Sequence, residues 1–163
     1  MRYKIDRNST LWIADQAAEK LRAHRQLSES ATEACGVLIG HGFVEHSDIV
    51  IIDVTEPQPH DVRSRCQVYR SQDHSNIVVD RWCRSGKTET YVGLWHTHAE
   101  PFPTPSVIDL KDWENALIKD KYDGPRLFFA IVGTESVSVW MGQKSRLNIR
   151  LGPTIAFRKL KPL

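Results

Sequence analysis

Residues 91–109, Tyr91-Val92-Gly93-Leu94-Trp95-His96-Thr97-His98-Ala99-Glu100-Pro101-Phe102-Pro103-Thr104-Pro105-Ser106-Val107-Ile108-Asp109, decide the fold. Tyr91 to Trp95 reads as a strand. Pro101, Pro103 and Pro105 then exclude regular structure and stiffen the connection. A helix begins near Ser106, with Leu110, Trp113 and Leu117 on one side. Side chains at i and i+2 of an extended chain leave the same face, so His96 and His98 can offer ring nitrogens to one ion. Zinc accepts nitrogen at about 2.0–2.1 Å, and catalytic zinc sites use three protein ligands while leaving a position for water. Asp109, one turn into the following helix, is the natural third ligand. Each part also has a plainer reading. The histidines could be two surface residues, and Ser106-x-x-Asp109 is a good capping box; a capped helix can still offer its acid to a metal.

Working outward, a hydrolytic site needs a base for its water and a donor for the leaving amine. Glu33 is the candidate, placed before Ala34-Cys35-Gly36 at the start of a strand expected beside the histidine strand. Ser106 is the candidate donor to the oxyanion that develops on the scissile carbonyl. Gly36-Val37-Leu38-Ile39-Gly40 and Asp48 to Val54 read as a hairpin across a His/Gly turn region. Gly36 and Gly40 suit tight packing rather than a phosphate cradle, because no GxGxxG is present. Ala14, Ala17, Ala18 and Leu21 predict a first helix from near Asn8-Ser9-Thr10 to about His24. Residues 57–65 read as a polar loop, followed by a short strand at Cys66–Tyr69. A second helix is expected from Asp73 to Arg84, with His74, Ile77, Val78 and Trp82 on one face. Leu127 to Val132 is continuously apolar, as expected of a central strand covered on both faces, and the alternation of Val137, Val139 and Met141 gives it a neighbour. The order α, β, β, β, α, β, α and further strands predicts an α/β chain, a mixed sheet with helices packed against it.

The remaining properties narrow the field. At 163 residues the chain suits one domain. A formal net charge of +2, without a basic run, gives no nucleic-acid signature. The start, Met1-Arg2-Tyr3-Lys4-Ile5-Asp6, lacks the apolar core of a secretory signal, and no apolar stretch approaches the roughly 20 residues that cross a bilayer. Cys35, Cys66 and Cys83 are too few for a disulfide framework and fit reduced thiols with structural roles, so a cytoplasmic location is expected. Cys35 has neither a helix N-terminus nor an evident histidine beside it to make a nucleophile.

His-x-His, seven residues, then Ser-x-x-Asp, together with the upstream Glu33-Ala34-Cys35-Gly36-Val37-Leu38-Ile39-Gly40, resembles the signature of the JAMM (MPN+) metalloproteases. The resemblance implies one MPN (JAB) domain over residues 1–163, a curved mixed sheet flanked by helices and akin to cytidine-deaminase folds. It implies one Zn2+ per chain on His96, His98 and Asp109, with Glu33 activating the water and Ser106 steadying the intermediate. Residues 91–98, Glu100-Pro101 and Ile108-Asp109-Leu110-Lys111-Asp112-Trp113 further resemble the small bacterial JAMM peptidases of CBASS anti-phage operons. There the peptidase releases a cGAS-like nucleotidyltransferase whose C-terminus has been conjugated to a target. The implied partner is thus a protein with an extended C-terminal tail, either such a conjugate or a ubiquitin-like protein; neither nucleic acid nor membrane is expected. Ala99 stands where many relatives have Pro, which removes no ligand. Other readings are a JAMM peptidase acting on a sulfur-carrier tail, a RadC-like DNA-associated protein and a non-catalytic MPN scaffold. The tail would add as a strand beside the site, flanked by residues 58–70 with Arg63, Arg65 and Arg70.

Overall fold

The computed structural model describes residues 1–41, 48–148 and 152–163, without the side chains of 145–148 and 152–153. In chain order the elements are β1 (Arg2–Lys4), β2 (Thr10–Ile13), α1 (Asp15–Ala23), β3 (Cys35–His41), β4 (Ile49–Val54), β5 (Val62–Arg63), β6 (Val68–Tyr69), α2 (Asp73–Arg84), β7 (Glu89–Thr97), α3 (Val107–Lys119), β8 (Arg126–Val132), β9 (Val137–Asn148), β10 (Gly152–Lys159) and β11 (Lys161–Pro162). The main sheet has the order β10-β9-β8-β7-β3-β4-β2-β1-β11, and β5 and β6 form a separate two-stranded hairpin. β2 with β4 and β7 with β8 are parallel; the remaining pairs are antiparallel, so the sheet is mixed and the chain is α/β.

Strand β8 shows how the sequence dictates two layers. Phe128, Ala130 and Val132 pack with Ala17, Ala18 and Leu21 of α1. Leu127, Phe129 and Ile131, pointing the other way, pack with Trp113, Ala116 and Leu117 of α3. Trp113 stacks on Phe129 with ring centroids 4.7 Å apart. Gly36 lies where a Cβ would meet the Thr55 carbonyl oxygen at 2.1 Å, which makes it the tight-packing position expected.

Several boundaries differ from the sequence expectation. The first helix starts at Asp15, because Thr10–Ile13 is strand β2, with Leu11 and Ile13 inside and Trp12 outside. Ser9 does not cap a helix; its hydroxyl donates to Asp6 Oδ2 at 2.7 Å in the turn before β2. Leu110 is 36% exposed rather than on the buried face of α3. On α2 only His74 is fully buried. The loop expected at 57–65 contains β5, and the His/Gly turn between β3 and β4 falls largely on 42–47, outside the described residues.

Candidate metal centre and active site

Strand β7 carries His96 within its pairing and His98 one residue beyond its end. The backbone N–H of His98 donates to the Val132 carbonyl at 3.0 Å, and that of Thr97 to Ala34 at 3.0 Å, so both flanking strands fix the histidine pair. Because β7 and β8 are parallel, the chain must cross back over the sheet, and α3 forms that crossover. Its N-terminus therefore returns to the end of β7. There Ser106 and Asp109 close a capping box: Ser106 N–H donates to Asp109 Oδ2 at 2.6 Å, and Asp109 N–H to Ser106 Oγ at 3.2 Å. The capping and metal readings of Ser106-x-x-Asp109 are thus compatible in one geometry.

His96 Nε2 lies 3.1 Å from His98 Nε2 and 3.1 Å from Asp109 Oδ1, and His98 Nε2 lies 3.3 Å from Asp109 Oδ2. Neighbouring donors around a tetrahedral ion with bonds near 2.05 Å lie about 3.3 Å apart. The residues present therefore fit a metal ion. Burial disfavours the charged form of His96 and moves its pKa down, whereas at His98 burial is outweighed by Asp109 and Glu33 and the pKa moves up. Burial also raises Asp109, but hydrogen bonds from both imidazoles outweigh this and hold it well below the usual carboxylate range. Neutral imidazole and ionised carboxylate are the forms that ligate.

Glu33 is buried and lines the same cleft of about 300 Å³ as His96, His98, Ser106 and Asp109. Burial pushes its carboxyl up to about 7; His98 opposes the shift and Asp109 adds to it. A carboxylate poised near neutrality can both take and return a proton. Ser106 Oγ accepts from the Asp109 N–H, which leaves its own O–H free to point at a ligand in the cleft. All five residues expected from the sequence are brought together around this cleft.

The model of prokaryotic homologs of the JAB domain matches residues 14–146. The chain belongs to this family. Prokaryotic JAB relatives include the CD-NTase/cGAS isopeptidase of Vibrio cholerae serotype O1, 33% identical over 145 residues that cover 88% of each chain. That of Escherichia coli strain TW11681 is 33% identical over 139 residues, covering 85% of this chain and 84% of its own. The solution structure of a Desulfitobacterium hafniense protein superposes with a TM-score of 0.58 at 17% identity, over 83% of this chain and 85% of that one. That likeness concerns the fold alone.

Around this JAB centre lie Thr97 and Gln26, which motif reading passed over, and Arg63, Arg65 and Arg70, expected beside the tail; Arg65 and Arg70 line the cleft. Thr97, between the two histidines, faces away from them, accepts from Ala34 N–H at 2.9 Å and donates to Gln26 Oε1 at 3.1 Å. Arg70 pairs with Asp112 at the cleft wall. Arg63 Nε donates to the Glu33 carbonyl at 2.6 Å, and Arg65 donates to the carbonyls of Ser28 and Glu29, so these arginines are committed to backbone. Cys35 does have a histidine near it: Cys35, Asp61 and His74 offer ligand atoms within 4.8 Å of one another. Burial pushes its thiol up to about 12, away from the thiolate that a nucleophile needs. Cys66 and Cys83 are exposed. Long-range pairings that no local motif announces place Asp61 and Gln26. No helix among the described residues is long and apolar enough to cross a membrane.

Proposed function

We propose that this chain is a zinc-dependent isopeptidase of a single JAB domain. We further propose that it releases a CD-NTase, a cGAS-like nucleotidyltransferase, from proteins to which its C-terminus is conjugated in anti-phage defence. The observation that carries the reading is the His96, His98 and Asp109 donor set at mutual spacings of 3.1–3.3 Å, with Glu33 on the same cleft. The substrate class is supported by the relatives' shared name and by coverage of more than four-fifths of each chain.

His96, His98 and Asp109 would hold the ion. Zinc supplies Lewis-acid polarisation of water and carbonyl. Glu33 takes a proton from the attacking water and returns it to the departing lysine amine or peptide nitrogen. Ser106 donates its O–H to the oxygen that becomes negative. The cleft shares Val68, Tyr69, Arg70 and Asp112 with a cavity of about 550 Å³ between α2 and α3. The two together suit an extended tail lying along the β5–β6 hairpin. Within the motif Phe102 (70% exposed), Val107 (83%) and Ile108 (58%) stand exposed, and Ile108 lines the cleft.

The test is a CD-NTase joined through its C-terminus to a reporter protein, incubated with the chain, with Glu33→Ala and a chelator as controls. Cleavage at the junction, abolished by both controls, is expected. Intact fusion in the presence of zinc-loaded chain overturns the substrate assignment, and cleavage that survives chelation overturns the metal mechanism.

A further inference from the structure

Asp61 is an internal carboxylate on which two distant parts of the chain converge. Its side chain has no exposed surface. Oδ2 accepts from Gln58 N–H at 2.7 Å and from the Cys35 thiol at 3.6 Å; Oδ1 accepts from Ser71 N–H at 2.8 Å. His74 Nε2 on α2 lies 3.0 Å and 3.1 Å from the two oxygens. The other ring nitrogen of His74 is 2.7 Å from Thr55 Oγ1, which accepts from Val37 N–H on β3 at 2.7 Å. Both ends of segment 58–71 are thereby tied to one carboxylate, and that carboxylate is tied to α2 and the main sheet.

The cluster's donors match a metal-ligand set, but each proton already has an acceptor. With His74 protonated on Nε2, Thr55 O–H serves His74 Nδ1, His74 Nε2–H serves Asp61, and the Cys35 S–H serves Asp61. Structural zinc sites close with four protein ligands, and this cluster supplies three. A proton-bridged lock accounts for every contact.

What the lock holds is the hairpin inside it. Ser64 accepts the Glu33 N–H at 2.7 Å, and Arg63 Nε donates to the Glu33 carbonyl at 2.6 Å, so both backbone groups of Glu33 are held by residues 63–64. The next residue, Ala34, is held by Thr97 from the opposite side. We propose that Asp61 is a positioning residue for the base: it fixes the hairpin, and the hairpin fixes Glu33 against the histidine pair. The proposal rests on Glu33 being the base. A base moved by about 1 Å loses on the order of a hundredfold in rate.

The experiment measures Glu33 amide hydrogen exchange, zinc content, kcat and KM for the wild type, Asp61→Asn, Arg63→Ala and Arg63→Lys. In Asp61→Asn and Arg63→Ala, exchange at Glu33 should accelerate on the order of tenfold or more, with kcat falling by a similar or larger factor, zinc staying at one equivalent and KM changing less than kcat. Arg63→Lys, which can still donate to the Glu33 carbonyl, should recover most of the kcat. Arg63 is exposed, so its variants fold even if Asp61→Asn does not. Unchanged Glu33 exchange in a folded Asp61→Asn overturns the proposal, and so does unchanged exchange in Arg63→Ala. So does a kcat loss that only tracks zinc loss, or a second equivalent of zinc that disappears with Asp61. Because exchange is read without substrate, a wild type that cleaves no conjugate removes the function above while the lock is still judged on exchange alone.

Discussion

At the scale of single residues, five side chains spread between positions 33 and 109 converge on one cleft, and their assigned roles separate experimentally. Glu33→Ala should retain one equivalent of zinc while turnover falls by roughly 10²–10⁴, whereas His96→Ala and Asp109→Ala should lose both, as read by metal analysis beside the cleavage assay. The free-site value of about 7 for Glu33 is raised by burial, and a bound cation pulls it down. The acid limb of kcat/KM should therefore fall at or below about pH 7, because the base must be ionised to act. The proposed function gives the Ser106 hydroxyl a second duty beside the cap it forms. Ser106→Ala should cost about 1 kcal/mol of stability through the lost cap, and on the order of a hundredfold in kcat through the lost donor. A kcat loss no larger than the stability change explains would leave only the capping role. His96, His98, Ser106 and Asp109 were legible because ligand chemistry ties residue type to short spacing, whereas Glu33, far upstream, was placed by the strand it precedes and by the resemblance. Gln26 and Asp61 were not legible, since a buried amide or carboxylate is recognisable only from the partners that distant chain segments bring to it.

At the scale of elements, the sequence announces those whose periodicity is uniform. α2 runs from Asp73 to Arg84 as expected, and the apolar run Leu127–Val132 became a strand covered on both faces. The start of α1 was misplaced because Asn8-Ser9-Thr10 carries cap-forming residue types, while the alternation in Leu11-Trp12-Ile13 is too short to compete with the helical pattern that follows it. Packing of the sheet against its crossing segments leaves little tolerance at Gly36. Gly36→Ala should destabilise by about 3 kcal/mol in chemical denaturation, since the Thr55 carbonyl is backbone and cannot swing aside. The lock around Asp61 has its own pH signature. Burial raises its pKa, but the N–H groups of Gln58 and Ser71 and the His74 ring outweigh this and bring it to about 2, below the ordinary 3.8. A depressed carboxylate adds stability above its unfolded pKa and loses it as pH falls through the folded one. The stability gap between wild type and Asp61→Asn should be largest above pH 5 and should narrow between about pH 4 and pH 2.

At the scale of the whole molecule, the metal centre joins the end of β7 to the start of α3 across the proline loop. On the proposed reading zinc would bind the folded arrangement of His96, His98 and Asp109, so saturating it at a hundredfold excess over Kd should add about 2.7 kcal/mol, read as a Tm that rises with zinc and falls with chelator. A Tm insensitive to zinc would show that the ion does not span these elements. The order of strands also has a consequence for how the chain is made. Tyr3 pairs with Pro162 and Lys4 with Lys161, so β1 lacks its outer neighbour until residues 161–162 arrive. β7 meets β8 only after the entire α3 crossover has been laid down. Contacts of such long sequence separation make folding slow. During synthesis, the half-formed sheet therefore presents open strand edges to the ribosome-bound environment. A nascent chain stalled before residue 161 should recruit holding chaperones that the folded 1–163 chain does not.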